Sequence, residues 1–117
     1  MAGARMRKVN EAIREVLSHH VTEGLSDPRI GFVTLTAVET SPDLAHARVF
    51  LTILGPRKKR PEALEGLRSA RGVLQAHLGR ELHLKRTPTL EFVYDESIDH
   101  GMKMDALIDR ATADGPA

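Results

Sequence analysis

Cysteine and tryptophan are both absent from this 117-residue chain, and its aromatic residues are only Phe32, Phe50, Phe92 and Tyr94. Without cysteine there are no disulfides, no thiolate-held metals and no thiol nucleophile, a composition compatible with a reducing cytoplasm. So few aromatic rings leave little capacity for stacking nucleobases. No apolar run approaches the roughly 20 residues that span a bilayer. Met1 to Asn10 carries Arg5, Arg7 and Lys8 where an export signal would have an apolar core. The expectation is one soluble intracellular domain, large enough to bury roughly two-thirds of its unfolded surface without cross-links.

Net charge is nearly absent too, at +1, but that figure hides a segregation. Residues 1–55 balance six Lys/Arg against six Asp/Glu. Residues 56–86 carry nine against three, and residues 87–117 carry two against seven. The central block is therefore +6 and the last −5. The basic block points to a polyanion partner.

The periodicities alternate between helix and strand. Val9, Ile13, Val16, Leu17 and Val21 form an apolar stripe for a helix from about Arg5 to Glu23, with Gly24 as its stop and Arg7–Glu11 as an ion pair at helical spacing. Asp27-Pro28-Arg29-Ile30-Gly31 is a turn-rich connector. Phe32 to Glu39 reads as a strand with Val33, Leu35 and Ala37 on one face. Ala45 to Leu54 reads as a second, whose Ala47, Val49, Leu51 and Ile53 alternate with polar or mixed residues. The turn signal Ser41-Pro42-Asp43-Leu44 joins them as an antiparallel hairpin. Thr89 to Tyr94 is a third strand, with Leu90, Phe92 and Tyr94 on its core face. Met102, Met104, Leu107 and Ile108 are expected to form a short final helix.

Between the second and third strands, Leu64, Leu67, Leu74, Leu78 and Leu82 recur at helical steps. Pro61 suits the first turn of this region. The stripe is interrupted at Ala70-Arg71-Gly72, where a mid-helix glycine costs about 1 kcal/mol relative to alanine. The spacing predicts two helices meeting at a bend, with Gly72 as the residue that permits it. The order helix, strand, strand, helix–bend–helix, strand defines an α+β layer with helices on one side of a small sheet.

Asp27-Pro28-Arg29, Ser41-Pro42-Asp43-Leu44, Ala70-Arg71-Gly72 and the run Pro88-Thr89-Leu90-Glu91-Phe92-Val93-Tyr94-Asp95-Glu96-Ser97, with Gly101 and Leu107 beyond, occur in an order and spacing that resembles the bacterial ribosome-binding factor A family over roughly residues 5–110. The resemblance implies a single type II KH-like domain with a three-stranded mixed sheet and an Ala-x-Gly bend in place of the Gly-x-x-Gly loop. It also implies binding to the free small (30S) ribosomal subunit, with assistance in late processing of 16S rRNA and contacts to ribosomal proteins. Family members often carry arginine shortly after the bend, whereas this chain has Gln75, so no phosphate contact is assigned there.

Lacking the Gly-x-x-Gly clamp, the chain is expected to recognise RNA by shape and phosphate contacts. The candidate RNA-binding residues are Arg71, Gly72, Arg80, Lys85, Arg86 and the run Arg57, Lys58, Lys59 and Arg60, with Arg7 and Lys8 as an auxiliary patch. Gly72 reads equally as a packing kink and as a place where backbone approaches RNA. The Arg57–Arg60 run reads as an RNA contact or as a solvated loop. None of His19, His20, His46, His77, His83 and His100 stands at a recognised metal or catalytic spacing, and Asp95, Glu96 and Asp99 read as a solvated turn. The expectation is a non-enzymatic monomer without cofactor or metal. The rival from a different class is a protein-interaction module that docks a partner through its sheet or acidic C-terminal region.

Overall fold

The computed structural model describes residues 3–97 except Gly24 and Ser26. The expected helix around Met102 to Ile108, together with Asp99, His100 and Gly101, lies outside the described residues. The elements are α1 (Ala4–Glu23), β1 (Val33–Thr40), β2 (His46–Ile53), a 3-10 turn (Arg57–Lys59), α2 (Arg60–Ser69), α3 (Arg71–Glu81) and β3 (Thr89–Tyr94). The strands form one sheet in the order β1-β2-β3, with β1 antiparallel and β3 parallel to β2. A parallel neighbour requires a long crossover, and α2 and α3 supply it.

The core follows the stripes. Ile13 and Leu17 from α1, Leu67 from α2, and Leu74 and Leu78 from α3 are fully buried, as are Val49 and Leu51 at the centre of β2. Strand β2 buries Ala47, Val49, Leu51 and Ile53 while His46 and Arg48 face out, so one side of the sheet is covered and the other remains accessible. Leu90 and Phe92 continue that inner face onto β3.

Strand β1 departs from simple alternation. Leu35 pairs with Leu51, but Ala37 pairs with Phe50, so Thr36 is an extra residue at a bulge. The bulge reverses the facing of everything after it. Ala37, expected beside Leu35, is exposed, and Val38 and Thr40 turn inward. The hydroxyl of Thr36 donates to Asp95 Oδ2 at 2.7 Å. Thr40 N–H is taken by Asn10 Oδ1 at 3.0 Å, which ties the strand to α1.

The hairpin turn is held by its own polar residues. Ser41 N donates to the His46 carbonyl at 2.8 Å, His46 N donates to Ser41 Oγ at 3.0 Å, and Ala45 N donates to Asp43 Oδ1 at 3.0 Å. Leu44 closes the turn in the left-handed region, at φ 61°.

The helix pair breaks within Ala70-Arg71-Gly72, but the residue that makes the break is Ala70. It ends α2 and precedes α3 with φ −87° and ψ 0°, away from the ψ of about −42° of a regular helix. Its N–H still reaches the Gly66 and Leu67 carbonyls at 3.1 Å, and its own carbonyl accepts from Leu74 N at 3.0 Å. Gly72 lies in the first turn of α3 without positive φ, and a Cβ built on it meets nothing within 4 Å. The bend therefore needs no glycine freedom, contrary to the role expected for Gly72.

The glycine that packing requires is Gly66. A Cβ there would lie 2.8 Å from Ile30 Cγ1 and 3.3 Å from Asp27 Oδ2. The connector Asp27-Pro28-Arg29-Ile30 presses directly on α2 at this point. Asp27 accepts from Arg29 N at 2.9 Å and from the Arg29 guanidinium at 2.7 Å, and that guanidinium also reaches Ser69 Oγ at 3.3 Å.

Candidate nucleic-acid interface

The crossover topology decides where the cations lie. The Arg57–Arg60 run follows the C-terminal end of β2, whereas Lys85 and Arg86 precede the N-terminus of β3, which pairs with the opposite end of β2 at His46↔Thr89. The two groups are separated by the length of an eight-residue strand, about 26 Å. Residues adjacent in a single basic block of sequence thus occupy opposite ends of the sheet.

At the hairpin end, Lys85 lines a cleft of about 610 Å³ together with Arg5, His83, Pro42 and Leu44. Met6, Val9 and Leu84 also line it. Arg86 is close enough to Asp43 to help hold that carboxyl below its usual range, after the larger effects of the Ser41 hydroxyl and the Ala45 N–H. Arg5 is not among the candidates read from sequence. Its charge is visible there, but only the fold brings it beside Lys85.

At the other end, Arg57, Lys58 and Lys59 are exposed in the 3-10 turn. Arg60 is half-buried, with its guanidinium 3.8 Å over the Tyr94 ring. This cation–π contact fixes the start of α2 on the end of β3. It makes Arg60 a structural residue as well as a cation.

Along α1, Arg7 and Lys8 are exposed. The expected Arg7–Glu11 pair is replaced by Glu11 with Arg14, one step closer on the helix. Arg7 and Arg14 both line a groove between α1 and the bulged part of β1, at Thr36 to Val38. At the break, Arg71 is half-buried, and its Nε is enclosed with no hydrogen-bond acceptor among the described residues. A buried donor of a charged side chain without an acceptor is costly. Gly72 is exposed beside it. Arg80 is exposed on the last turn of α3 and donates to His77 Nδ1 at 3.1 Å.

Gln75 has a different task from its neighbours. Its Oε1 accepts from Leu90 N at 3.0 Å, binding α3 to the start of β3. An arginine has no acceptor with which to make this bond. Asp95 is likewise engaged in the fold, accepting from the Thr36 hydroxyl, Ser97 N at 3.0 Å and Ser97 Oγ at 2.5 Å. These hydrogen bonds, Ser97 first and then Thr36, hold its carboxyl below the ordinary carboxylate range.

A mixed three-stranded sheet, backed by a long helix and a helix pair broken at one alanine, with cations at both sheet ends, defines an α+β domain of the KH-like class. Comparison with known proteins narrows the class. The chain belongs to the ribosome-binding factor A family: the family model of that description matches residues 5–108. The ribosome-binding factor A of Azoarcus sp. (strain BH72) is 45% identical over 108 residues, covering 92% of this chain and 86% of that protein. The crystal structure of ribosome-binding factor A from Thermus thermophilus aligns with a TM-score of 0.69 at 27% identity, over 76% of this chain and 93% of that one. A homology model of the Thermus thermophilus ribosome binding factor A, fitted into a cryo-electron-microscopy map of a 30S–RbfA complex, aligns with a TM-score of 0.62 at 28% identity, over 74% and 91%.

Proposed function

We propose that this protein binds the small (30S) ribosomal subunit through phosphate contacts and assists late maturation of 16S rRNA, acting as a non-catalytic monomer in the cytoplasm. The observation that carries the reading is the shared fold with the Thermus thermophilus protein fitted to a 30S complex. Arg71, half-buried at the helix break next to the exposed Gly72, supplies a cation for a phosphate contact there. Lys85, Arg7 and Lys8 are exposed without ion pairs among the described residues, and Arg86 is exposed near Asp43, so these cations can reach phosphates. The non-catalytic part rests on the family, whose description is a ribosome-binding factor.

The test is co-sedimentation with purified small subunits over a salt series. With about four to six phosphates neutralised, the log–log slope of affinity against salt is about −3 to −5, from roughly 0.7–0.9 per contact. The protein should sediment with small subunits and not with complete ribosomes. A flat salt response would refute the electrostatic reading.

One observation favours an additional protein contact. Phe32 and Leu54 are both 78% exposed and adjacent, since Leu54 N donates to the Phe32 carbonyl at 3.0 Å. Two large apolar side chains together at a sheet end suit docking on a ribosomal protein. A binding loss in Phe32→Ser and Leu54→Ser with an unchanged salt slope would identify that contribution.

A further inference from the structure

Where the last turns of α1 and α3 meet, three groups able to ligate a metal converge from two helices. His77 and Glu81 stand four residues apart on α3, on one helix face, and His20 comes from α1. His20 Nε2 lies 2.5 Å from Glu81 Oε2, and His77 Nδ1 lies 3.6 Å from the same oxygen. The two imidazoles are stacked, 3.6 Å between centroids and 12° between planes. One donor atom from each of the three residues falls within 4.8 Å of the other two. The side chains are 15%, 27% and 43% exposed for His20, His77 and Glu81, so the cluster is partly enclosed but open to solvent on one side.

We propose that His20, His77 and Glu81 form a binding site for a divalent transition-metal ion of the zinc type, which joins the C-terminal turns of α1 and α3. Two imidazoles and one carboxylate are a donor set that zinc accepts, with water completing four-coordination. Ligands at about 2.0–2.1 Å from a tetrahedral ion are roughly 3.3 Å from one another. The observed donor separations of 2.5 and 3.6 Å lie on either side of that value. Metal binding requires the proton between His20 Nε2 and Glu81 Oε2 to leave to solvent, and rotation of the stacked rings about χ2 to bring their lone pairs onto the ion. Beneath the cluster, Leu17 of α1 and Leu74 and Leu78 of α3 are fully buried in the common core, so the two helices are held in place before any metal binds. His20 and Glu81 are 61 residues apart, which is why no motif announces them.

The surrounding charges set the conditions. Arg80 donates to His77 Nδ1 at 3.1 Å and must swing away for that nitrogen to bind metal. His19 is edge-on to His20, with centroids 5.1 Å apart, and pairs with Glu23 at 3.4 Å. Partial burial, followed by the neighbouring His20 and Arg80, lowers the pKa of His77 from its ordinary value. The carboxyl of Glu81 is held below its ordinary range chiefly by His20.

The experiment titrates zinc chloride into tag-free, chelator-treated full-length protein at about pH 7.5, followed by calorimetry and by histidine side-chain ¹⁵N shifts. Saturable one-to-one binding is expected, with shifts at His20 Nε2 and His77 Nδ1. His77→Ala and Glu81→Gln should each weaken binding by at least about tenfold, since even outer-shell changes cost about 10–100-fold. His19→Ala should retain the parental affinity within about threefold, and binding should weaken as pH falls through the histidine range of about 6.5. Thermal melts of each variant establish that it is folded, and the ¹⁵N shifts test the parent protein without any substitution. Absence of saturable binding at about 100 µM zinc, equal affinity in His77→Ala, or shifts confined to His19 would each overturn the proposal.

Discussion

Gly66 and Gly72 sit six positions apart on consecutive helices and serve opposite surroundings. Gly66 is buried under the Asp27–Ile30 connector, with no room for a methyl group. Gly72 faces open space at the start of α3, beside the half-buried Arg71. Only the first is required by packing. The second leaves the surface at the helix break low and accessible, which suits contact with another molecule. Glycine in a helix is therefore a question about its neighbours, and the unusual residue in the pattern need not be the one that bends it.

The strongest way to break this comparison is Gly66→Ala. Overpacking against Ile30 costs about 1–3 kcal/mol, offset by about 1 kcal/mol of helix propensity. The net change therefore runs from about zero to a loss of about 2 kcal/mol, which should lower the thermal midpoint by up to roughly 15 °C, at about 4–8 °C per kcal/mol. A higher midpoint would show that the connector yields easily and that the clasp is loose.

Gln75→Leu tests the tie between α3 and β3. It leaves Leu90 N–H without its acceptor, for an expected loss of about 1 kcal/mol, and denaturant titration with an unchanged m-value would report it. Gly72→Ala should change stability in the opposite direction, by up to about 1 kcal/mol of stabilisation. Equal signs for Gly66→Ala and Gly72→Ala in parallel melts would abolish the distinction between the two positions.

Acid exposes the connector by another route. Asp27 is held below the usual carboxylate range by the Arg29 side chain and then its N–H, and Asp43 by the Ser41 hydroxyl and the Ala45 N–H. A depressed carboxylate pKa means that the stabilisation is present in full above the unfolded value of about 3.9 and is lost as pH falls through the folded value. Thermal midpoints should thus be flat with respect to these groups from about pH 7 to 5 and fall below about pH 4. Asp27→Asn should flatten that acid limb, and an acid limb identical to the parent's would remove Asp27 from the account.

Arg71→Ala removes the enclosed Nε together with the packed stem of the side chain, two opposing effects that leave a stability change of about 1 kcal/mol or less. Its consequence lies in binding: the salt slope with small subunits should fall by about one contact unit. An unchanged slope in a folded variant would move the anion site away from the break, to Arg7 and Lys8 on α1 or to the Lys85 end of the sheet.

Much of the architecture is legible in the chain alone. The alternation of Ala47, Val49, Leu51 and Ile53, the Ser41–Leu44 turn and the leucine spacing from Leu64 to Leu82 all correspond to observed elements, because each pattern is read within one strand or a few helical turns. Periodicity misplaces Ala37 because the bulge at Thr36 is a property of β1 and β2 together. It locates the break to three residues but attributes it to glycine, since propensity identifies an unfavourable residue without saying where ψ departs. The candidate cations are legible as a composition but not as a surface, for the parallel crossover sends Arg57–Arg60 and Lys85–Arg86 to opposite ends.

By itself, then, the sequence determined the local elements, the family pattern and the presence of a basic block, all of which depend on residue type at short spacing. Tertiary structure decided the rest: the bulge that turns Val38 inward, the pressure of Ile30 on Gly66, the seat of Arg60 on Tyr94, and the meeting of His20 with His77 and Glu81. Each of these depends on a partner many residues away, whose position is set by the packing of helices on the sheet and not by any periodicity in the chain.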